Sequence, residues 1–265
     1  MDSSPDNGNG GDHTADHWLE AYRSGAYLEK WHYDHPSPEL VALVSCGLIK
    51  PGARVLEVGC GAGTDSIYLA GAGVTVTGWD ISQTAVDLAR EAARKAGARV
   101  TFQRVDIFSP MVPRTNVDAV IDRGCLHNIP LEQWTEFARR VYRFLNKGSG
   151  LYFVRGSRES TVGRQMFTPL TAENQPSGCS GRFSWTRSEP FMLLANAGLL
   201  PAAMVLMRAK SKVGSPRAPW ILRPMPVSAA GPAGPAFSDR LRALPGRHPP
   251  LRLGLRRRHH PPGGR

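Results

Sequence analysis

One short segment constrains the fold of this chain more than any other. Residues 55–63 read Val-Leu-Glu-Val-Gly-Cys-Gly-Ala-Gly, an apolar strand that runs directly into three glycines. Glycine adopts positive φ without strain and lets a ligand approach the main chain closely. Seventeen residues after Gly63, a second apolar run ends at Asp80. This order predicts a βαβ unit that binds a nucleotide cofactor, with the free N–H groups of the helix directed at the ligand and the acid placed for ribose hydroxyls.

The spacing of the glycines distinguishes between classes of nucleotide. A dinucleotide fingerprint requires Gly-x-Gly-x-x-Gly, whose third glycine would stand at Thr64. This chain instead has Gly59, Gly61 and Gly63, with Glu57 two residues upstream. The pattern resembles motif I of the class I S-adenosylmethionine-dependent methyltransferases, and Asp80 matches their motif II acid. The resemblance implies S-adenosylmethionine as cofactor, with its methionine part at the loop and its ribose at Asp80.

Further residues stand where this family binds its cofactor. Asp106 follows the third predicted strand and resembles the motif III acid that receives the adenine amino group, and Ile107 would flank the ring. An aspartate accepts from an exocyclic N–H, which adenine offers at this position. The resemblance implies cofactor contacts for six further residues, namely Glu57, Cys60, Ile81, Asp122, Arg123 and Trp31.

The substrate side is predicted where the fourth strand ends. Residues 122–125 read Asp-Arg-Gly-Cys, and open α/β sheets bind ligands at such carboxyl ends. The Asn/Asp-Pro-Pro-aromatic tetrapeptide of adenine and glutamine methyltransferases is absent here, as is the Pro-Cys of cytosine C5 enzymes. Asp-Arg-Gly-x-Leu-His, with Trp134 and Tyr142 on the next helix, resembles the thiopurine S-methyltransferase-like branch. The resemblance implies a small-molecule acceptor, a thiol first and a heteroatom of a natural product second.

Two residues are candidates for catalysis. His127 is the candidate general base, because imidazole titrates near neutrality, and His32 and His35 are reserves. Asp122 is the second candidate and would orient the acceptor or the loop. A thiol of pKa ~8.5 is partly ionised near neutrality and does not require a base, whereas a phenol near ~10 does.

Alternating strands and helices predict the fold class. We expect a Rossmann-like, seven-stranded, mostly parallel sheet with helices on both faces. The chain would end in an antiparallel hairpin of strands at about 201–209 and 218–224, after a helix at 187–197. An aromatic-rich helix at 16–31 and a second at 38–46 are predicted as lid helices.

The predicted methyltransferase domain covers residues 16–226, and its lid helices lie within 16–47. Residues 156–186 show little periodicity, and loops of this length are typical of binding lids, so we expect a substrate cap there. Residues 1–15 are polar and are predicted to be disordered.

The C-terminal segment 227–265 leaves alternatives open. Eight arginines against one aspartate give it +7 of the chain's net charge of +11. Its Pro, Gly and Arg content cannot bury enough apolar surface to offset the entropy of ordering, so disorder is expected. The segment is either a non-selected extension or an arm for nucleic acid, which would make the chain an RNA methyltransferase. A protein that binds the cofactor without catalysis is the third alternative.

The remaining expectations concern location and partners. The four cysteines are scattered without a zinc spacing, so we expect free thiols and no metal site. Residues 1–11 do not resemble a signal peptide, and no apolar run reaches the ~20 residues that a membrane-spanning helix requires. We therefore expect a cytoplasmic protein without a membrane partner, as a monomer or a weak dimer.

Overall fold

The computed structural model describes residues 15–157, 161–162, 165–166, 182–195 and 198–211 of the 265-residue chain. The predicted strand at 218–224, the basic segment 227–265 and most of the predicted cap at 156–186 lie outside these residues.

The helices and strands follow the predicted alternation over most of the chain. The helices are α1 (Ala15–Arg23), α2 (Tyr27–Lys30), α3 (Pro38–Ser45), α4 (Thr64–Gly71), α5 (Gln83–Ala96) and α6 (Trp134–Phe144), and short 3-10 turns cover Leu126–Asn128 and Leu131–Gln133. The strands are β1 (Arg54–Val58), β2 (Thr75–Asp80), β3 (Val100–Arg104), β4 (Ala119–Arg123), β5 (Leu151–Ser157), β6 (Thr161–Val162), β7 (Gln165–Met166), β8 (Phe183–Ala195) and β9 (Gly198–Ala209).

Seven strands form one sheet in the order β3-β2-β1-β4-β5-β9-β8. The pairs from β3 through β5 are parallel, whereas β9 runs antiparallel to both β5 and β8. The predicted Rossmann-like sheet with antiparallel C-terminal strands is therefore confirmed. Chain order reverses between β1 and β4, where Val58 pairs with Asp122, and open α/β sheets bind ligands at such a switch point.

Successive residues of the central strands feed two separate cores. Leu56, Val120 and Tyr152 pack with α6 on one face. Their neighbours Val55 and Ile121 pack with α3 and α4 on the other face. Side chains alternate between the faces of a strand, so strands that are covered on both sides read as continuous apolar runs. Among the described residues, no helix combines the length and apolarity needed to cross a membrane.

Two predicted helices differ in the structure. Residues 183–195 form β8 instead of the predicted helix at 187–197, and β8 pairs with β9 from Phe183–Ala209 to Ala195–Gly198. That prediction was wrong because a short apolar run has no decisive period, and pairing with β9 satisfies its backbone groups. The hairpin thus joins β8 to β9. The predicted helix at 16–31 is interrupted at Gly25, whose φ of 79° is incompatible with a continuous helix.

Candidate functional site

The glycine loop between β1 and α4 requires glycine for two reasons. Gly59, Gly61 and Gly63 all have positive φ, at 67°, 53° and 85°. A Cβ on Gly59 would also lie 2.9 Å from Cys125 Cβ, and one on Gly63 would lie 2.8 Å from Phe102 Cζ. The loop is therefore a tight turn, with other side chains packed where Cβ atoms would lie.

Asp80 at the end of β2 fastens this loop. Its Oδ2 accepts from the Gly61 N–H at 2.9 Å, and its Oδ1 accepts from the Ser82 N–H at 2.9 Å. Burial raises the pKa of Asp80, while these amide donors act in the opposite direction. Each carboxylate oxygen can accept a second hydrogen bond, so Asp80 retains capacity for hydroxyl donors of a ligand.

A pocket of about 310 Å³ is lined by Ile81, the residue that follows Asp80. Ile81 and Asp106 both line it, together with Arg104, Met111 and other residues. The Asp106 Oδ1 accepts from the Phe108 N–H at 2.8 Å, which orients the carboxylate. The structure thus brings together two of the residues predicted to bind the cofactor. Ile107 instead packs against the core beneath α6.

Buried acids lie beneath the loop. Glu57 is 2% exposed and accepts from Ser66 Oγ at 2.5 Å, and Asp65 is 1% exposed. Burial, followed by the neighbouring Asp65 charge, raises the pKa of Glu57. Two carboxylates so close in a buried site do not ionise together readily. Glu57 therefore keeps its proton towards neutral pH and links β1 to α4 through Ser66.

Arg123 neutralises Asp65 and holds the N-terminal segment. Its Nε lies 2.7 Å from Asp65 Oδ2, and its guanidinium stands 5.5 Å from the ring centroid of Tyr33. Asp65 also accepts from the Ser37 N–H at 2.8 Å. Sequence reasoning missed Asp65, because an acid in a first helical turn is common for its favourable interaction with the helix dipole. Its partner Arg123 is distant in sequence, and no spacing indicated the pair.

Aromatic side chains of α1 and α2 cover the loop. Trp31 Nε1 donates to Tyr22 Oη at 3.1 Å, and the rings of Tyr22 and Tyr27 lie 4.7 Å apart. A Cβ on Gly61 would lie 2.6 Å from Tyr22 Oη. The Tyr22 hydroxyl therefore lies against the loop, and the predicted contact residue Trp31 is hydrogen-bonded to it.

Asp122 at the end of β4 is saturated with donors. It is fully buried and accepts from the amides of Gly124 (3.2 Å), Cys125 (2.7 Å) and Leu126 (3.2 Å), and from Tyr152 Oη (3.1 Å). Burial raises its pKa to about 6, although these donors act in the opposite direction. The carboxylate shapes the turn that carries Cys125 and the residues after it.

His127 lies on that turn and contacts the end of β5. Its Nδ1 accepts from the Ser157 N–H at 2.9 Å. A backbone amide only donates, so Nδ1 is unprotonated here and the neutral ring carries its proton on Nε2. Cys60 points elsewhere, into the core cluster with Val86 and Phe102. The main chain of Cys60 is therefore part of the loop, whereas its side chain is part of the core.

The family comparison agrees with this geometry. The model of a methyltransferase domain matches residues 55–148. Over 131 residues, the chain is 31% identical to the 2-heptyl-1-hydroxyquinolin-4(1H)-one methyltransferase of Mycobacteroides abscessus, covering 49% of this chain and 57% of that enzyme. The chain thus spans little more than half the length of that relative. An uncharacterized methyltransferase of Schizosaccharomyces pombe is 35% identical over 111 residues, covering 42% and 76% of the two chains.

Solved structures agree on the fold. A protein from work on the conversion of a disulfide bond into a thioacetal group during echinomycin biosynthesis superposes with a TM-score of 0.65 at 22% identity, covering 75% of this chain and 94% of the other. Magnesium protoporphyrin IX methyltransferase from Synechocystis, with bound S-adenosylmethionine, gives 0.53 at 20% identity, covering 77% and 87%. With its glycine loop, buried strand-end acid and these matches, the chain belongs to the class I S-adenosylmethionine-dependent methyltransferases.

Proposed function

We propose that the protein methylates a small-molecule acceptor, a thiol first and another heteroatom of a natural product second. The quinolone methyltransferase of M. abscessus acts on a small molecule by its name, and the echinomycin study concerns sulfur in a natural product. The resemblance of residues 122–127 to the thiopurine S-methyltransferase-like branch supports sulfur. The observation that carries the proposal is the loop at 59–63, closed by Asp80 and covered by aromatic side chains.

The residues present fit S-adenosylmethionine. Gly59 of the loop is exposed and Gly61 is partly exposed, Asp80 keeps lone pairs for the ribose, and Ile81 and Asp106 line a pocket that we assign to the adenine. Bound there, the cofactor supplies an electrophilic methyl group on a sulfonium centre. The buried aromatic cover excludes water from that centre and offers it π faces.

The remaining task of the protein is alignment. Holding two reactants in line lowers a barrier by ~7–11 kcal/mol relative to free encounter. Asp122 fixes the turn at residues 124–126, and Arg123 fastens this edge to the N-terminal segment. Both residues therefore act on the position of the acceptor side, and we assign Asp122 a positioning role.

The hydrogen bond at His127 bears on the choice of acceptor. Because the Ser157 N–H donates to Nδ1, the lone pair of this nitrogen is not available to take a proton from an acceptor molecule. No base in the site is required by an acceptor that ionises by itself near neutrality. A thiol of pKa ~8.5 does so, whereas a phenol of pKa ~10 does not.

The test pairs cofactor binding with a matched acceptor screen. Calorimetry with S-adenosylhomocysteine establishes the cofactor site, with Asp80→Ala as the variant expected to lose it. Turnover is then measured by formation of S-adenosylhomocysteine on pairs of compounds that share one ring and differ only in SH against OH. We expect each thiol to react faster than its matched phenol at pH values below the phenol pKa of ~10. Binding without turnover on any acceptor, or methylation of RNA alone, would overturn the proposal.

A further inference from the structure

The hydroxyl group of Tyr22 occupies an unusual position for a lid residue. The side chain is 7% exposed, and its oxygen lies directly on the main chain of Gly61. Ala85 of α5 and the ring of Tyr27 complete its surroundings. Ordinary packing explains the ring, but it does not explain a polar atom placed on the glycine loop.

The hydroxyl group of Tyr22 accepts a hydrogen bond, but its own proton has no acceptor among the residues that the structure describes. Trp31 Nε1–H can only donate, so the 3.1 Å contact uses Tyr22 Oη as the acceptor. The Tyr22 O–H must therefore point to some other acceptor. Within the part of the chain that the structure describes, no acceptor lies within hydrogen-bond distance of it. A buried hydroxyl without an acceptor is unfavourable, so this one is arranged for a group that binds beside it.

The protonation state of the Tyr22 phenol indicates which ligand group can bind beside it. Burial, and next the Asp80 carboxylate, raise the pKa of the phenol, so it stays a neutral donor throughout the physiological range. The Gly61 N–H already donates to Asp80. In the methionine part of the cofactor, the ammonium group only donates and the sulfonium centre is cationic, so the carboxylate is the group that accepts a hydrogen bond. Hydrogen bonds to charged acceptors are also the strong ones.

We propose that Tyr22 contacts the cofactor directly, by donating its hydroxyl hydrogen bond to the carboxylate of the methionine part. Trp31 is then a positioning residue, which orients the phenol through its indole N–H. This inference rests on the proposed placement of the methionine part at residues 59–63. It makes the N-terminal lid part of the recognition of the amino-acid end of the cofactor.

The test compares two ligands and two tyrosines. S-adenosylhomocysteine carries the amino-acid carboxylate, and 5′-methylthioadenosine lacks it. For Tyr22→Phe we expect the Kd of S-adenosylhomocysteine to rise roughly tenfold or more, with that of 5′-methylthioadenosine within about twofold of wild type. Tyr68→Phe removes a tyrosine hydroxyl from α4, outside the aromatic cover, and serves as the matched control, with both dissociation constants unchanged. The melting temperature of each variant verifies that it is folded.

A double-mutant cycle tests the role of Trp31. Trp31→Phe should weaken S-adenosylhomocysteine binding less than Tyr22→Phe does, and the double variant should bind no more weakly than Tyr22→Phe alone. Equal loss of both ligands in Tyr22→Phe, or unchanged affinity for S-adenosylhomocysteine, would overturn the inference. Wild-type protein that binds neither ligand would instead overturn the proposed function, so the two failures are distinguishable.

Discussion

Two buried aspartates lie at the carboxyl ends of strands in the same sheet, and they differ in how many hydrogen bonds each accepts. Asp80, at the end of β2, accepts from the amides of Gly61 and Ser82. Asp122, at the end of β4, accepts from three consecutive amides and from Tyr152 Oη. Each carboxylate organises the loop beside it. Only Asp80 keeps acceptor capacity for a ligand, so two aspartates that are both buried at strand ends have different roles.

Removal of the Asp122 carboxylate should have the largest effect, a loss in the free energy of unfolding. Asp122→Ala leaves the amides of residues 124–126 and the Tyr152 hydroxyl without their acceptor in a fully buried site. We expect a loss of about 3–4 kcal/mol in the free energy of unfolding, measured by urea denaturation. Asp118→Ala, at the other end of β4 and only partly buried, is the control, with an expected loss of about 1 kcal/mol. Equal losses would show that Asp122 has no special structural role.

The same substitution at the other aspartate should instead affect ligand binding. Asp80→Ala removes the acceptor that we assign to the ribose hydroxyls and also frees the loop amide of Gly61. The affinity for S-adenosylhomocysteine should fall by roughly a hundredfold, measured by calorimetry. Asp87→Ala, on the exposed side of α5, should leave affinity unchanged. If Asp122→Asn lowered the affinity as much as Asp80→Ala, the distinction between the two aspartates would be wrong.

The pKa of Asp122 predicts a pH effect of defined sign. The folded state holds this proton with a pKa of about 6, above the ordinary 3.8, so it binds more protons than the unfolded state between these values. Wild-type stability relative to Asp122→Asn should therefore fall by about 2–3 kcal/mol as pH rises from about 4 to about 7. Glu57 and Asp80 titrate in both proteins and cancel in the difference. A constant difference across this range would contradict the raised pKa.

Two glycines with positive φ separate backbone strain from crowding. Gly63→Ala forces a Cβ to within 2.8 Å of Phe102 Cζ and 2.9 Å of Ala89 Cβ, whereas Gly97 has open space around the same position. Both substitutions place alanine in the left-handed region. We expect Gly97→Ala to lower the free energy of unfolding by about 1 kcal/mol and Gly63→Ala by about 2–3 kcal/mol. Equal losses in thermal denaturation would show that the loop adapts to a side chain.

The smallest effect is expected at His127. His127→Gln keeps an acceptor for the Ser157 N–H and removes the imidazole. With a thiol acceptor, kcat should change by less than about threefold, and its pH profile between about 6 and 9 should keep its shape. If kcat of the wild type rose towards high pH and kcat of the variant did not, His127 would be the general base.

The cofactor half of the molecule could be predicted from the sequence because its determinants are local. The loop at 59–63 and Asp80 depend on residue types that backbone geometry requires, and spacing along the chain fixed their order. The saturation of Asp122 could not be predicted, since Tyr152 reaches it from another strand. The strand at 183–195 depends on its pairing with β9, and its apolar run had no period of its own that excluded a helix.

The lid shows the same limit at the level of one helix. Trp31 was an expected contact, but the interruption at Gly25 changes the direction of the chain before it. The hydroxyl of Tyr22, in α1, lies against the loop and accepts from Trp31 Nε1. Gly25 was the signal that could have indicated this, because glycine in a helical pattern marks a place where the helix ends.

The antiparallel strand β9 has a consequence for synthesis of the chain. Strands β1 to β5 are complete once residue 157 has been made, but β5 pairs on its outer side with β9, which ends at Ala209. At about 5–20 residues per second, ribosomes take several seconds to add the intervening residues. During that interval the nascent sheet presents the unpaired amides of β5, a strand whose residues are all buried in the folded protein, as a template for association with other chains. Slow translation over this stretch should therefore lower the yield of native enzyme, and chaperones that shield strand edges should restore it.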